Sequence, residues 1–137
     1  MEPRVSFITL AVSDLAATRR FYVDGLGWEP ALEVPDDVLM FPVADKVLLS
    51  LWVEPAFEAE VGPIRRGAGL APVTLAHNLA TKRGVDEVLA DARAAGATEV
   101  ADAVERDWGG YSGYFADPDG YRWEVAYNPG EIGQSVL

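Results

Sequence analysis

Cysteine is absent from the 137-residue chain, and histidine occurs once, at position 77. The first absence excludes disulfides, thiolate nucleophiles, iron–sulfur clusters and thiolate zinc sites. The second leaves one imidazole for acid–base or metal chemistry. Cations are scarce too: 11 Lys and Arg stand against 22 Asp and Glu, a formal net charge of −11. That balance opposes binding to nucleic acid or anionic membranes, which need clustered cations. No apolar run approaches the roughly 20 residues of a membrane span. The opening MEPRVSFITLAVSDL has an apolar run too short and too alternating for a signal peptide, and Asp14 follows at once. The expectation is a cytoplasmic protein.

What remains is apolar and patterned. Half the residues are hydrophobic, enough for a sizeable core, and the length suits one domain or two small modules fused into one. VSFITLAV (5–12) is β-branched and short, a strand with Phe7, Thr9 and Ala11 on one face. Ser13 fits a helix N-cap, and DLAATRRFYVD (14–24) reads as a helix with Leu15, Thr18 and Tyr22 along one stripe and Gly25 as its stop. Strands are predicted at 28–34, 37–43 and 46–53. Residues 54–72, with three Pro and three Gly, read as a long connecting loop, either a linker or a lid.

The order then repeats. A strand is predicted at 73–79, an N-cap at Thr81, and an amphipathic helix over 82–95 with Val85, Val88, Leu89 and Ala92 on one face, ended by Gly96. Strands follow at 98–105, 111–117 and 121–127, and the tail NPGEIGQSVL reads as frayed. A doubled β-α-β-β-β pattern is the strongest organisational signal. Each half alone is too small to bury its sheet well. The predicted fold is α+β: two βαβββ modules, 1–53 and 73–130, joined by 54–72 and forming a cup-shaped mixed sheet with helices outside and a concave inner face.

Two stretches carry a family likeness. ITLAVSDLAATRRFYVDGLGW resembles the opening of the vicinal-oxygen-chelate superfamily, which contains glyoxalase I, extradiol dioxygenases and bleomycin-resistance proteins, and GYFADPDGYRWEV resembles its closing hairpin. The likeness covers nearly the whole chain, but the scaffold serves many chemistries. It implies a site on the concave face. Metal-dependent members take His, Gln or Glu ligands from the first and last strand of each module. Here the first ligand falls on Phe7, the fourth on Glu124, another on Ser50 by alignment of KVLLSLWV with GYRWEVAY, and the last on Val73 or Leu75. Only Glu124 suits a metal, and His77, on the same strand as Val73 and Leu75, is the one substitute in reach. A divalent ion wants three or four convergent N/O donors, so no metal and no cofactor are expected.

Glu124, between Trp123 and Val125, is either a functional group or the partner of Arg122, since an unpaired buried carboxylate is costly. His77 is either a satisfied structural histidine or a catalytic one. The acids of DPDG (117–120) read as turn chemistry. In WGGYSGYF (108–115) the glycines either let the backbone approach a ligand or form a bulge. Trp52 and Trp108 form either a stacking wall or core. Arg65 and Arg66 are expected to be solvated. The expected site has Glu124 and His77 as polar handles in a surface made by Phe7, Thr9, Ser50, Trp52, Leu75, Trp108 and Tyr111. Metal-independent binding of a hydrophobic or cationic small molecule is the leading function. The rival is a glyoxalase-like lyase or isomerase, or a dioxygenase, with Glu124 as base or metal ligand; an enolate would then need His77, Thr9, Ser50 or backbone N–H groups as stabiliser. A third reading is an interaction domain with a closed cup. A homodimer is expected, because exposed sheet edges otherwise invite aggregation.

Overall fold

The computed structural model describes residues 1–137 and divides into two units, Met1–Ala68 and Gly69–Leu137. In the first, β1 (Phe7–Val12) runs parallel to β4 (Val47–Val53), which pairs antiparallel with β3 (Val38–Ala44), and β3 with β2 (Leu32–Val34). Alternation sorts these strands into two faces. Leu10, Leu51 and Leu39 are in register and buried, as are Leu49 and Phe41 beside Ile8. The opposite face carries Phe7, Thr9, Ser50 and Trp52.

The helix after β1 departs from the sequence expectation in two ways. Its N-cap is Asp14, not Ser13: the Asp14 carboxylate accepts the Ala17 N–H at 3.0 Å. Only Leu15–Arg19 (α1) is regular α-helix; Arg20–Gly25 widens into a π-helical turn. That turn carries Phe21 and Tyr22, both buried. The left-handed position that ends the segment is Gly27, at φ 71°, rather than Gly25. The first predicted strand of the following three shrinks from 28–34 to Leu32–Val34, because Trp28 turns back onto Tyr22 and Phe41.

The expected loop over 54–72 begins with a helix, α2 (Glu54–Glu60). Pro55 sits in its first turn, where the missing N–H breaks no hydrogen bond. Phe57 of α2 meets the Trp52 ring edge-on at 6.2 Å. Arg66 is not simply solvated: it returns to pair with Glu54 at 2.9 Å and Glu58 at 3.5 Å.

The second unit repeats the plan in the order β5 (Thr74–Asn78), α3 (Lys82–Ala95), β6 (Glu99–Glu105), β7 (Tyr111–Ala116) and β8 (Arg122–Tyr127), with sheet order β5-β8-β7-β6. The α3 boundaries are as predicted. Thr81 caps its N-terminus by accepting the Gly84 N–H, and Gly96 takes the left-handed conformation at φ 95°. Val85, Leu89 and Ala92 are buried against the sheet. The Phe115 and Trp123 rings stack at 6.0 Å on the face that carries Val125. Asp117 is 1 % exposed and accepts the Asp119 and Tyr121 N–H groups, so this acid of DPDG is turn chemistry. The tail is not frayed throughout: Glu131–Gln134 forms a short helix, α4, tied to Asn128 by Gln134. No helix is long and apolar enough to cross a membrane.

Candidate functional site

Glu124 lies in the middle of β8. Its register partners are Ala76 on β5 and Tyr114 on β7. Period-two alternation then gives one face to Thr74, Ala76 and Asn78, to Arg122, Glu124 and Ala126, and to Ser112, Tyr114 and Ala116. The other face, packed on α3, holds Leu75, His77, Trp123, Val125, Gly113 and Phe115. On the Glu124 face an open recess of about 300 Å³ is lined by Ala76, Asn78, Trp108, Glu124, Ala126 and Asn128.

The Glu124 carboxylate is not paired with Arg122, which instead bonds Glu99 at 2.5 Å. It accepts the Tyr114 phenol on Oε1 at 3.0 Å. Burial first, and then this hydrogen bond, raise the Tyr114 pKa above its ordinary value, so the phenol stays protonated and remains a donor. Behind it, the Arg106 guanidinium lies 5.7 Å from the Tyr114 ring centre and is anchored on Ser112, through Oγ at 2.9 Å and the carbonyl at 3.0 Å. One carboxylate oxygen is thus held by Tyr114, and Glu124 lines the recess. The Asn128 side-chain oxygen accepts the Gly130 N–H at 2.9 Å, which orients its amide.

The structure does not bring the two expected polar handles together. His77 is in register with Val125, one residue out of phase with Glu124, so its ring leaves the sheet on the opposite side. The expectation that Val73 or Leu75 stands at a ligand position fails for the same reason. In the first unit Phe7 lies two residues before Thr9, the register partner of Ser50; in the second, Thr74 lies two before Ala76, the partner of Glu124. The repeat therefore equates Phe7 with Thr74. Tyr111 also leaves the candidate surface: its hydroxyl donates to Asp86 on α3 at 2.9 Å, and Lys82 lies over its ring. Trp108 does line the Glu124 recess, half exposed. In the first unit Phe7, Thr9, Ser50 and Trp52 do share one face, with Phe7 exposed, Ser50 buried, and the Trp52 indole N–H donating to Asp37 at 2.8 Å.

Tyr114, Asn78 and Asn128 were missed in the sequence, although their signals are simple. Glu124, Ala126 and Asn128 are successive alternate residues, and the DPDG turn fixes a hairpin register that puts Tyr114 opposite Glu124.

The His77 residue is exposed along its edge strand, but the surrounding chain partly desolvates the imidazole and lowers its pKa below 6.5. The unfolded chain therefore binds this proton more readily than the folded one. The resulting stability contribution is present above pH 6.5 and falls away as pH drops through the depressed value. As the sole histidine, its C2–H resonance is unambiguous, and its titration midpoint should lie below 6.5. A midpoint at or above the ordinary value contradicts the placement.

A sequence model of the glyoxalase/bleomycin resistance protein/dioxygenase superfamily matches residues 4–125. The chain belongs to this superfamily. No curated protein matches it. Among solved structures, a glyoxalase-related enzyme from Fulvimarina pelagi is 33 % identical, with a TM-score of 0.82 over 93 % of this chain and 89 % of that one. A lactoylglutathione lyase from Agrobacterium tumefaciens is 26 % identical, with a TM-score of 0.70 over 93 % and 96 %. A glyoxalase/bleomycin resistance protein/dioxygenase from Nocardioides, 24 % identical with a TM-score of 0.77 over 96 % and 90 %, shares the fold. The metal that the superfamily's metal-dependent members hold does not fit this donor set. Within neither unit do three His, Cys, Asp or Glu side chains converge. Glu124 is the one charged donor in its recess; the Tyr114 phenol and the Asn78 and Asn128 amides are neutral and weak ligands.

Proposed function

We propose that this superfamily member binds a small organic molecule in the Glu124 recess without a divalent metal, and that the preferred ligand is a flat ring system carrying a positive charge. One observation carries the reading: a carboxylate with a free oxygen and two asparagine side chains stands beside the exposed Trp108 ring, in a recess of about 300 Å³. Charge-assisted hydrogen bonding would fix one end of such a ligand, and an indole face attracts cations and flat rings. The volume suits a small molecule at the lower end of ordinary ligand sites. A surplus of eleven negative charges favours cationic ligands in the encounter.

The experiment is a titration with proflavine, a flat cation, in chelator and in added zinc or nickel, alongside an assay for turnover of the hemithioacetal of glutathione and methylglyoxal. Saturable binding that is unchanged by chelator, with no turnover, is the expected result. Binding or turnover that appears only with metal overturns it.

A second reading is favoured by the 33 % identity to a glyoxalase-related enzyme. There Glu124 removes a proton next to a carbonyl and the Tyr114 O–H, within reach of the same carboxylate, is the nearest donor for the developing charge. Metal-independent turnover with a bell-shaped pH profile in the same assay selects this reading over sequestration.

A further inference from the structure

The turn between β6 and β7 is arranged around one aromatic ring. The Arg106 N–H donates to the Gly110 carbonyl and the Gly109 N–H to the Arg106 carbonyl, each at 2.8 Å, with Gly109 left-handed at φ 88°. The Arg106 guanidinium then clamps Ser112, pinning the turn to β7. Trp108, inside this turn, folds back over Gly110. A Cβ built on Gly110 would fall within the six-membered ring, overlapping Cζ3 and Cη2 of Trp108. Gly110 is buried beneath a tryptophan that is itself 53 % exposed.

The backbone does not ask for glycine here. Gly109 needs its left-handed angle, but Gly110 is not among the positive-φ residues. What a side chain at 110 would disturb is the indole, and the indole is a wall of the Glu124 recess. A half-exposed tryptophan anchored by only one edge would ordinarily sample several rotamers. Seating the ring on bare backbone restricts it before any ligand arrives, which reduces the ordering that opposes association.

We propose that Gly110 is a positioning residue for ligand binding: by lacking a side chain it seats the Trp108 ring as a preset wall of the recess. The inference rests on the recess being the ligand site. It also makes a claim about the free protein that stands apart from any ligand.

The free protein is examined by fluorine NMR of 5-fluorotryptophan-labelled chain, with the Trp108 resonance assigned by Trp108→Phe. Gly110→Ala should shift that resonance and sharpen it toward the value of a mobile, solvated indole, leaving the Trp28, Trp52 and Trp123 resonances in place. Proflavine affinity should fall about tenfold in Gly110→Ala and in Trp108→Ala, and the double variant should be no weaker than either single one, because both remove the same wall. If Gly110→Ala does not fold, Trp108→Ala/Gly110→Ala should, since the overlap is then gone. An unmoved Trp108 resonance overturns the proposal, as does additive loss in the double variant or a double variant that also fails to fold. If proflavine does not bind the wild-type protein, the recess reading fails, and the fluorine spectrum still decides whether Gly110 seats the ring.

Discussion

Tyr22→Ala is expected to remove about 3–5 kcal/mol of folding stability, the usual range for deleting a large buried aromatic side chain. Tyr22 is fully buried and its ring meets three others: Phe21 edge-on at 5.0 Å, Trp28 at 5.2 Å and Phe41 at 5.8 Å. Removing it leaves a void between the π-helical turn and the sheet and ends three aromatic contacts, each worth about 0.5–1.5 kcal/mol beyond area burial. Domains of this kind have about 5–15 kcal/mol in total, so the loss is a large fraction. The melting temperature should fall by roughly 9–25 °C, taking about 3–5 °C per kcal/mol for this length. Tyr22→Phe keeps the ring and should cost about 1 kcal/mol. Urea unfolding of both variants gives the comparison. A Tyr22→Ala loss no larger than that of Tyr22→Phe would mean that the cluster is not packed as described.

The same residue marks how far the sequence could be read. The stripe through Leu15, Thr18 and Tyr22 was visible, and Thr18 and Tyr22 are buried. The burial of Phe21 was not read, although Thr18, Phe21 and Tyr22 stand at i, i+3 and i+4, positions that share one face of an ordinary helix. In the second unit nothing interrupts the period: Thr81, the Val85–Leu89–Ala92 face and Gly96 were all legible, and α3 has the boundaries its sequence indicates. The seven-residue helix α2 was hidden because 54–72, with three Pro and three Gly, reads as one connecting loop. Yet Pro55 stands at the position where proline favours a helix, and the Trp52–Phe57 contact that steadies it joins residues on either side of the strand–helix boundary.

At the candidate site, residue types were read more reliably than faces. Glu124 stood out as the unusual carboxylate, and for Trp108 a stacking wall and core packing were both open. His77 was assigned to the Glu124 side because alternation within one strand cannot fix the phase between two. Only the parallel register, Ala76 with Glu124 and His77 with Val125, separates them. Tyr111 failed differently. It lies on the α3 face of β7, where Asp86 supplies an acceptor and Lys82 a cation, a partnership between elements that a local window does not contain.

Glu124→Leu is expected to weaken proflavine binding by about 10- to 150-fold, the equivalent of losing one hydrogen bond to a charged group at about 1.5–3 kcal/mol. Leucine keeps most of the volume and removes both the charge and the acceptor, so the recess survives without its anchor. Glu124→Gln separates the two effects. The amide oxygen still accepts from Tyr114, so the local geometry holds, but the charge is gone. This variant should bind proflavine weakly and bind acridine, the corresponding neutral ring at neutral pH, as well as the wild-type protein does. Tyr114→Phe leaves the charge and only frees the carboxylate to rotate, so its loss should be smaller, about three- to tenfold. Little stability should change in any of the three, because Glu124 and Tyr114 are only half-buried and water can reach the group that is left. Calorimetric titration of the wild-type protein and the three variants with both dyes therefore reads charge, positioning and fold separately. Equal proflavine affinity in Glu124→Leu and wild type places the ligand elsewhere and removes Glu124 from the site.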